Sequence, residues 1–478
     1  MKRIVIVPLL MAMLVISGCA SINPQPGFNQ VKDQVSERLG KRIHWKQNTP
    51  EDKAVSESVR KMLQNDLTVE EAVQIALLNN PGLQATYEEI GIAQADVVQA
   101  GLLKNPVLTA FQTKERSGDR AVNLEFELAW DFLGVLTRPL RVKAAENAYE
   151  ETKLRVTGEV MSLAAEVRMA FYQAQSYQQM VELLQQVVAA TDAAVTAAER
   201  MRAAGNITQL QLEQEKALHY ESRLQLSNAE TMLSTYREQL NGLLGLWGTA
   251  TRWSMSTHLP DVPEDSIDAA NVEKRAVANS LQLAIYKSRI KQAAQHAGVT
   301  NVESIIQDLE LGYRIERSGG AYENGPSIGF SIPIFDFGQA KRARAHRELE
   351  SLMARYKDTA IRLRASARAA ANNVRIARER EHYMRKVLLP LRENITSGEQ
   401  LNYNAMQIGV FKLLMAQRQQ IATAMSYIET LRNYWLARTS AGQVVNGGMM
   451  GMSGMSDSMG MGMSMGSMSA GGESGGGH

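Results

Sequence analysis

The chain has 478 residues, with 52 lysine and arginine residues against 50 aspartate and glutamate residues and a formal net charge of +2. This balance gives no electrostatic reason to expect a nucleic acid or an anionic surface as a partner. A single cysteine excludes an internal disulfide framework and a zinc site built from several cysteines. The 24 methionines are concentrated at the ends of the chain, with three in the first 13 residues and nine between Met449 and Met468.

The amino-terminal residues 1–18 have the pattern of a secretory signal peptide. Two basic residues precede an apolar run at 4–16, which is too short for a transmembrane helix of about 20 residues. The sequence Ile-Ser-Gly-Cys at 16–19 resembles the bacterial lipobox, which implies that Cys19 is lipidated and becomes the first mature residue. In that resemblance, Ala20 in place of aspartate implies the outer membrane. The alternative is an ordinary signal peptide with a chance cysteine.

The remaining chain contains two copies of one plan. Asn79 matches Asn279 at an offset of 200 residues, and the segments 115–118 and 316–319 both read Glu-Arg-Ser-Gly. A duplicated unit explains these matches better than chance. No stretch after residue 20 approaches 18 consecutive apolar residues, so the sequence predicts no transmembrane helix.

Each copy begins with a helical pattern. Apolar residues at helical spacing occupy 67–103 in the first copy and 267–297 in the second. Thr68 is a plausible N-cap of the first helix, with Glu71 three residues later, as in a capping box.

A two-residue period then predicts one β-hairpin in each copy, at about 105–132 and 305–337, with polar connections at 114–120 and 317–325. Strands with one apolar and one charged face suit either a half-buried soluble sheet or a transmembrane barrel. Six of the nine phenylalanines fall in the hairpins, which suits the aromatic girdles of a barrel. Four strands cannot close a barrel and open edges are not tolerated in lipid. Several chains would therefore share one barrel, and three chains would give twelve strands.

Unusually long helical patterns follow each hairpin, at about 139–203 and 339–404, and helices return at about 207–246 and 410–439. A helix of about 65 residues would be roughly 100 Å long, far beyond the usual globular helix. Such lengths predict a coiled-coil-like stack of helices.

These features together resemble the TolC-type outer-membrane efflux proteins. The resemblance rests on Asp-Leu-Thr-Val-Glu-Glu-Ala at 66–72, Ala-Leu-Leu-Asn-Asn-Pro at 76–81, Phe-Asp-Phe-Gly at 335–338, the hairpins and the duplicated helices. It implies a mainly α fold with a small β part: a homotrimer with a shared twelve-stranded barrel in the outer membrane and an α-helical tunnel through the periplasm. It also implies a periplasmic adaptor and an inner-membrane pump as partners.

The predicted organisation has six parts. They are a lipoprotein signal peptide at 1–18, an N-terminal lipidated segment at 19–66, a first repeat at 67–246 with long helices from about 139, a linker at 247–266, a second repeat at 267–440 with long helices from about 339, and a disordered tail at 441–478.

The resemblance places the periplasmic end of the tunnel at the two helix-to-helix turns, around 203–206 and 403–406. Acidic residues often follow the family tyrosine, but the corresponding positions here hold a lysine and a methionine, so a carboxylate ring is not carried over. The two methionines near the second turn are either packing residues or thioether ligands for a soft metal. The candidate tip and gate residues are Gly205, Asn206, Tyr403, Met406, Lys412 and Met415.

The tail from residue 447 is almost entirely glycine, serine and methionine, a composition that predicts disorder. Thioethers are soft neutral donors that suit Cu(I), and Ag(I) is the related possibility; the alternative is an inert or adaptor-contacting tail. No resident cofactor is predicted. The candidate metal-binding residues are Met449, Met450, Met452, Met455, Met459, Met461, Met463, Met465, Met468 and His478.

The sequence contains no HExxH, GxSxG, P-loop or GxGxxG motif, so an enzyme is not expected. The favoured hypothesis is a lipid-anchored outer-membrane channel in a copper or silver efflux system. The alternatives are a drug or organic-solvent exporter with an incidental tail, and a periplasmic metal-binding scaffold without a pore. The basic stretch at 341–386 is interpreted as a solvated helix face or adaptor contact rather than a nucleic-acid patch.

Overall fold

The structure is a computed structural model that describes residues 22–114, 122–264, 269–306, 308–318, 321–332 and 334–448. The predicted signal peptide, Cys19 and the methionines of the tail lie outside these residues. Two helices, α1 (Gln25–Leu39) and α2 (Pro50–Met62), precede the first repeat. No helix in the described ranges is both long and apolar enough to cross a membrane.

The two repeats have the same order of elements. The first consists of α3 (Val69–Asn79), α4 (Pro81–Gly101), β1 (Val107–Lys114), β2 (Val122–Asp131), α5 (Leu133–Ala203) and α6 (Gln209–Leu244). The second consists of α7 (Ala269–Asn279), α8 (Leu281–Ile305), β3 (Leu309–Ser318), β4 (Ala321–Phe330), α9 (Gln339–Tyr383), a π-helical turn (Met384–Leu388), α10 (Leu389–Asn404) and α11 (Val410–Val445).

The predicted capping box at the start of the first repeat is confirmed. The Thr68 backbone N–H donates to the Glu71 carboxylate at 3.0 Å, and the Glu71 N–H donates to the Thr68 hydroxyl at 3.2 Å. The expectation of one continuous helix over 67–103 is wrong, because α3 ends at Asn79 and α4 begins at Pro81. Proline lacks the N–H that would continue α3, and Asn80, in extended conformation, caps α4 instead.

The four strands form one antiparallel sheet in the order β1-β2-β3-β4. The predicted second hairpin needs correction, because β4 begins at Ala321 rather than after the expected connection at 317–325. Pro326 lies within β4, which is one of the two edge strands of this sheet, where a missing N–H is tolerated. The alternation at Ile332 and Ile334 lies beyond the strand, which ends at Phe330.

The long helices are confirmed, with two differences from expectation. The 71-residue α5 is roughly 105 Å long at 1.5 Å per residue. Its counterpart in the second repeat is interrupted by the π-helical turn just before Pro390. Helix α11 continues to Val445, so the expectation that the disordered tail starts at 441 is wrong for 441–445. Ala441, Val444 and Val445 are buried in the core, which holds the helix together there.

The main core lies midway along the helical part. There α1, α3 and α4 pack on the middle of α5 and on the ends of α6 and α11. The described part of the predicted linker, 247–264, contributes to this core, since Trp253, Met255, Leu259 and Val262 are all buried.

One asparagine amide in each repeat joins the short first helix to the end of the last helix, α6 in the first repeat and α11 in the second. The Asn79 side-chain amide donates to the carbonyls of Leu244 and Gly245 at 3.0 and 2.9 Å. In the second repeat, the Asn279 amide donates to the Val445 carbonyl at 3.0 Å. These carbonyls have no partner within their helix, so the asparagines satisfy them and fix the ends of α6 and α11 against the core.

We predict that Asn79→Ala lowers stability by about 2 kcal/mol, because it removes two hydrogen bonds to helix-end carbonyls. The apparent melting temperature of the detergent-solubilised protein measures this. Asn402→Ala, at an exposed position of α10, is the matched control and should leave the melting temperature unchanged. Equal melting temperatures of the two variants would contradict the role assigned to Asn79.

Candidate functional site

The sheet has one apolar and one acidic face. Residues directly opposite each other in the ladder share a face, so Leu128 lies with Tyr313 and Trp130 lies with Leu311. These apolar side chains are 40–68% exposed in the single chain, and a patch of this kind is covered by lipid or protein in the assembled molecule. The face comprises Leu108, Phe126, Leu128, Trp130, Leu311, Tyr313, Ile315, Ile328 and Phe330.

The opposite face of the described strands carries six carboxylates and one guanidinium. Arg314 contacts Glu125 at 3.0 Å and Glu127 at 3.4 Å. The other carboxylates on this face, Asp131, Glu310, Glu316 and Glu323, follow from the ladder register. An acidic surface of this composition is compatible with water and attracts cations.

The first helical turn, between α5 and α6, is closed by backbone hydrogen bonds. Gly205 N–H donates to Arg202 O at 3.0 Å, and Asn206 N–H donates to Met201 O at 2.9 Å. Gly205 has φ 78°, a conformation that glycine adopts without steric cost. Thr208 then caps α6 through a capping box with Gln211.

The second turn, between α10 and α11, repeats this geometry with different residues. Met406 N–H donates to Tyr403 O at 2.9 Å, and Gln407 N–H donates to Asn402 O at 2.9 Å. Met406 has φ 57° and is 93% exposed, so a methionine occupies the left-handed position that glycine holds in the first turn. Gly409 precedes α11 and makes no side-chain cap. The second turn is therefore the more strained and the less well capped of the two.

The remaining tip candidates lie on α11. Met415 is 64% exposed, so in the single chain neither it nor Met406 is a core residue. Lys412 forms an ion pair at 3.2 Å with Glu399 of α10, whose side chain is only 17% exposed. Sequence reasoning missed Glu399. A helical hairpin brings together residues that are equally far from its turn in sequence. Counting back from the turn by as many residues as Lys412 lies beyond it would have identified Glu399.

The comparisons with known proteins agree with this architecture. Residues 72–246 match the family described as outer membrane efflux protein. The chain is 23% identical over 383 residues to the cobalt-zinc-cadmium resistance protein CzcC of Cupriavidus metallidurans, with 79% of this chain and 90% of that protein covered.

Two solved structures share the fold. A membrane protein from Pseudomonas aeruginosa aligns with a TM-score of 0.70 and 18% identity, over 80% of this chain and 91% of that one. CusC, whose structures concern folding and transmembrane channel formation, aligns with a TM-score of 0.67 and 14% identity, over 80% and 93% of the two chains.

The long helical hairpins and the four-stranded sheet, together with the match over residues 72–246 and the CzcC relative, support an outer-membrane efflux channel. Residues 72–246 resemble the outer membrane efflux protein family, and the fold of the described chain is that of TolC-type channels. The family consists of channel proteins rather than enzymes.

We predict that Met406→Gly stabilises the second turn by about 1 kcal/mol, because relief of the left-handed strain exceeds the entropic cost of glycine. Gly205→Ala should destabilise the first turn by a similar amount; no neighbour crowds a Cβ there, so the cost is backbone strain alone. Hydrogen–deuterium exchange of peptides spanning the two turns measures both. Changes of the same sign in both turns would contradict the assignment.

Proposed function

We propose that this protein is the outer-membrane conduit of a tripartite system that exports copper or silver ions. Three copies share one twelve-stranded barrel, and their helices enclose a tunnel through the periplasm. A periplasmic adaptor and an inner-membrane pump deliver the ions, and a lipidated Cys19 anchors each copy. The cation is the cargo of this conduit and not a resident cofactor.

The two-faced sheet is the main observation in support of a conduit. One chain supplies four strands with an apolar face and an acidic face. Four strands are too few to close a barrel, and an open sheet edge is excluded from lipid. Closure by three chains places the apolar face against lipid and the carboxylates in the lumen, where they favour the passage of cations.

The choice of cargo rests on the methionine-rich tail. The CzcC relative is described as a cobalt-zinc-cadmium resistance protein, which supports metal ions over organic compounds. Thioethers favour Cu(I), whereas imidazole and thiolate donors suit zinc. The tail has nine methionines but one histidine and no cysteine, so its donors fit copper or silver better than the ions of that relative.

Two alternative functions use parts of the same molecule. A drug or organic-solvent exporter with an incidental tail uses the same conduit, since the sheet and the helices are indifferent to cargo. A periplasmic metal-binding scaffold uses the tail alone. The two experiments below separate these possibilities.

We predict that Leu128→Arg abolishes channel formation, whereas Ala129→Arg preserves it. Leu128 lies on the apolar face and Ala129 on the acidic face, and an arginine facing lipid costs about 2–4 kcal/mol at the bilayer midplane. Single-channel recording of the purified protein in planar bilayers, with its adaptor present, measures the outcome. A wild-type protein that never conducts would remove the conduit function in favour of the scaffold.

We predict that a chain ending at Gly448 loses copper and silver tolerance and retains cobalt, zinc and cadmium tolerance. A full-length variant with all nine tail methionines changed to serine distinguishes the effect of losing the thioethers from the effect of shortening the tail. It should behave like the truncation. Growth of a deletion strain carrying each variant measures tolerance. Unchanged copper and silver tolerance, with drug tolerance lost on full deletion, would establish the drug exporter instead.

A further inference from the structure

A cavity of about 220 Å³ lies between α5, α11 and the start of α3. A cavity of roughly 150 Å³ accepts a molecule of benzene, so this one has room for a ring of that size with one further small group. Helix α5 belongs to the first repeat and α11 to the second. A ligand in the cavity would therefore contact both repeats of the chain.

Part of the cavity wall is aromatic and fixed in position. Tyr172 and Trp435, which both line the cavity, form a stacked pair with ring centroids 5.0 Å apart. The Trp435 indole N–H donates to the Pro260 carbonyl at 2.9 Å, which holds the ring in place. Met161, also in the lining, is almost fully buried. This part of the wall suits the flat apolar body of a ligand.

The rest of the lining is polar and includes three charged side chains, Glu70, Arg168 and Arg438. Arg168 donates to both carboxylate oxygens of Glu70, at 3.2 and 3.1 Å, and the Lys41 ammonium lies 2.7 Å from the same carboxylate. Although burial opposes the shift, these two cations lower the pKa of Glu70, so it is ionised at neutral pH. Two guanidinium groups against one carboxylate leave the lining with a net positive charge.

Arg438 supplies the positive charge that is not balanced. One of its nitrogens donates to the Tyr434 hydroxyl at 2.9 Å, and its guanidinium lies 5.7 Å from the ring centroid of Trp435. Within the part of the chain that the structure describes, no carboxylate pairs with it, because Glu70 pairs with Arg168 instead. A guanidinium has five N–H donors in a planar fork that matches a carboxylate. Arg438 therefore keeps donors for an anionic ligand beside the aromatic pair.

We propose that this cavity binds a small aromatic monocarboxylate. The carboxylate pairs with the Arg438 guanidinium, and the ring packs against Tyr172 and Trp435. Glu70 in the same lining repels a second negative charge, which disfavours a dianion such as phosphate. A cation would meet the unbalanced guanidinium and is disfavoured as well. The site lies in the helical body, so it is independent of the cargo of the conduit.

Isothermal titration of the full-length, detergent-solubilised protein with benzoate tests the proposal. One benzoate should bind per chain, and Arg438→Gln should weaken binding by about tenfold or more, because a hydrogen-bonded charge partner is lost. Arg432→Gln is the matched control, since it removes the same charge from the same helix at a residue that does not line the cavity. The control should leave the affinity unchanged. Benzylamine, which has the ring with the opposite charge, should not bind.

Arginine modification by phenylglyoxal, followed by mass spectrometry, tests the site in the unsubstituted protein and does not depend on the folding of a variant. Benzoate should protect Arg438 from modification and should leave the modification of Arg432 unchanged. Acetate, which lacks the ring, should protect Arg438 much less than benzoate at the same concentration.

Four results would overturn the proposal. They are the absence of saturable benzoate binding, equal benzoate affinity in wild type and Arg438→Gln, equal binding of benzylamine, and equal protection by acetate. An Arg438 that reacts with phenylglyoxal only after the chains are dissociated would also overturn it, because a second chain would then cover the cavity in place of a ligand.

Discussion

The architecture depends on the capping of two return helices by side-chain amides. Helices α6 and α11, of 36 residues each, return from the two turns to the main core and must end at a fixed place for the antiparallel stack to stay in register. Asn79 and Asn279 donate to the last carbonyls of these helices, and left-handed glycines at 245 and 447 turn the chain away. Gly245 is so close to the Asn79 carbonyl that a Cβ would lie 2.9 Å from it. The amide and the glycine therefore act together to end the helix, and this arrangement occurs once in each repeat.

The two repeats share this arrangement but differ in the regularity of their long hairpins. In the first, α5 is continuous and its turn has a left-handed glycine and a capping box. In the second, the π-helical turn precedes Pro390, whose ring would otherwise clash with a carbonyl of the preceding turn. Glu381 is buried beside that turn and accepts from the Tyr427 hydroxyl at 3.3 Å. With a left-handed Met406 at the tip, the second hairpin has a less regular long helix and a less well capped turn than the first.

The sequence predicted those features that arise from short-range patterns. The Thr68 capping box, the two hairpins and the long helices follow from capping chemistry and from the two hydrophobic periods. The predictions failed where a local signal was overridden by context. Gly325 and Pro326 have the composition of a loop, yet pairing with β3 draws them into an edge strand. Glu399 belongs to no sequence motif, because its role comes from the ion pair with Lys412 across the turn. Helix α11 extends to Val445 because Val444 and Val445 are buried in the core. The sequence did not show this end point, because the low-complexity tail begins directly after it.

Internal duplication also explains why the amino-terminal helices matter to the carboxy terminus. In the first repeat, the chain after α6 returns through the core and supplies Trp253 and Met255, and Leu67 N–H donates to Ser254 O at 2.8 Å. After α11 no second linker follows in the described residues, so another part of the chain must hold that end. Arg38 does so from α1, with one guanidinium nitrogen donating to Asn279 O at 2.7 Å and to Asn446 O at 2.6 Å. Burial lowers the pKa of this guanidinium, which records the cost of placing a cation there. The cost is offset by contacts with two helix-end carbonyls, whose partial negative charge favours a cation.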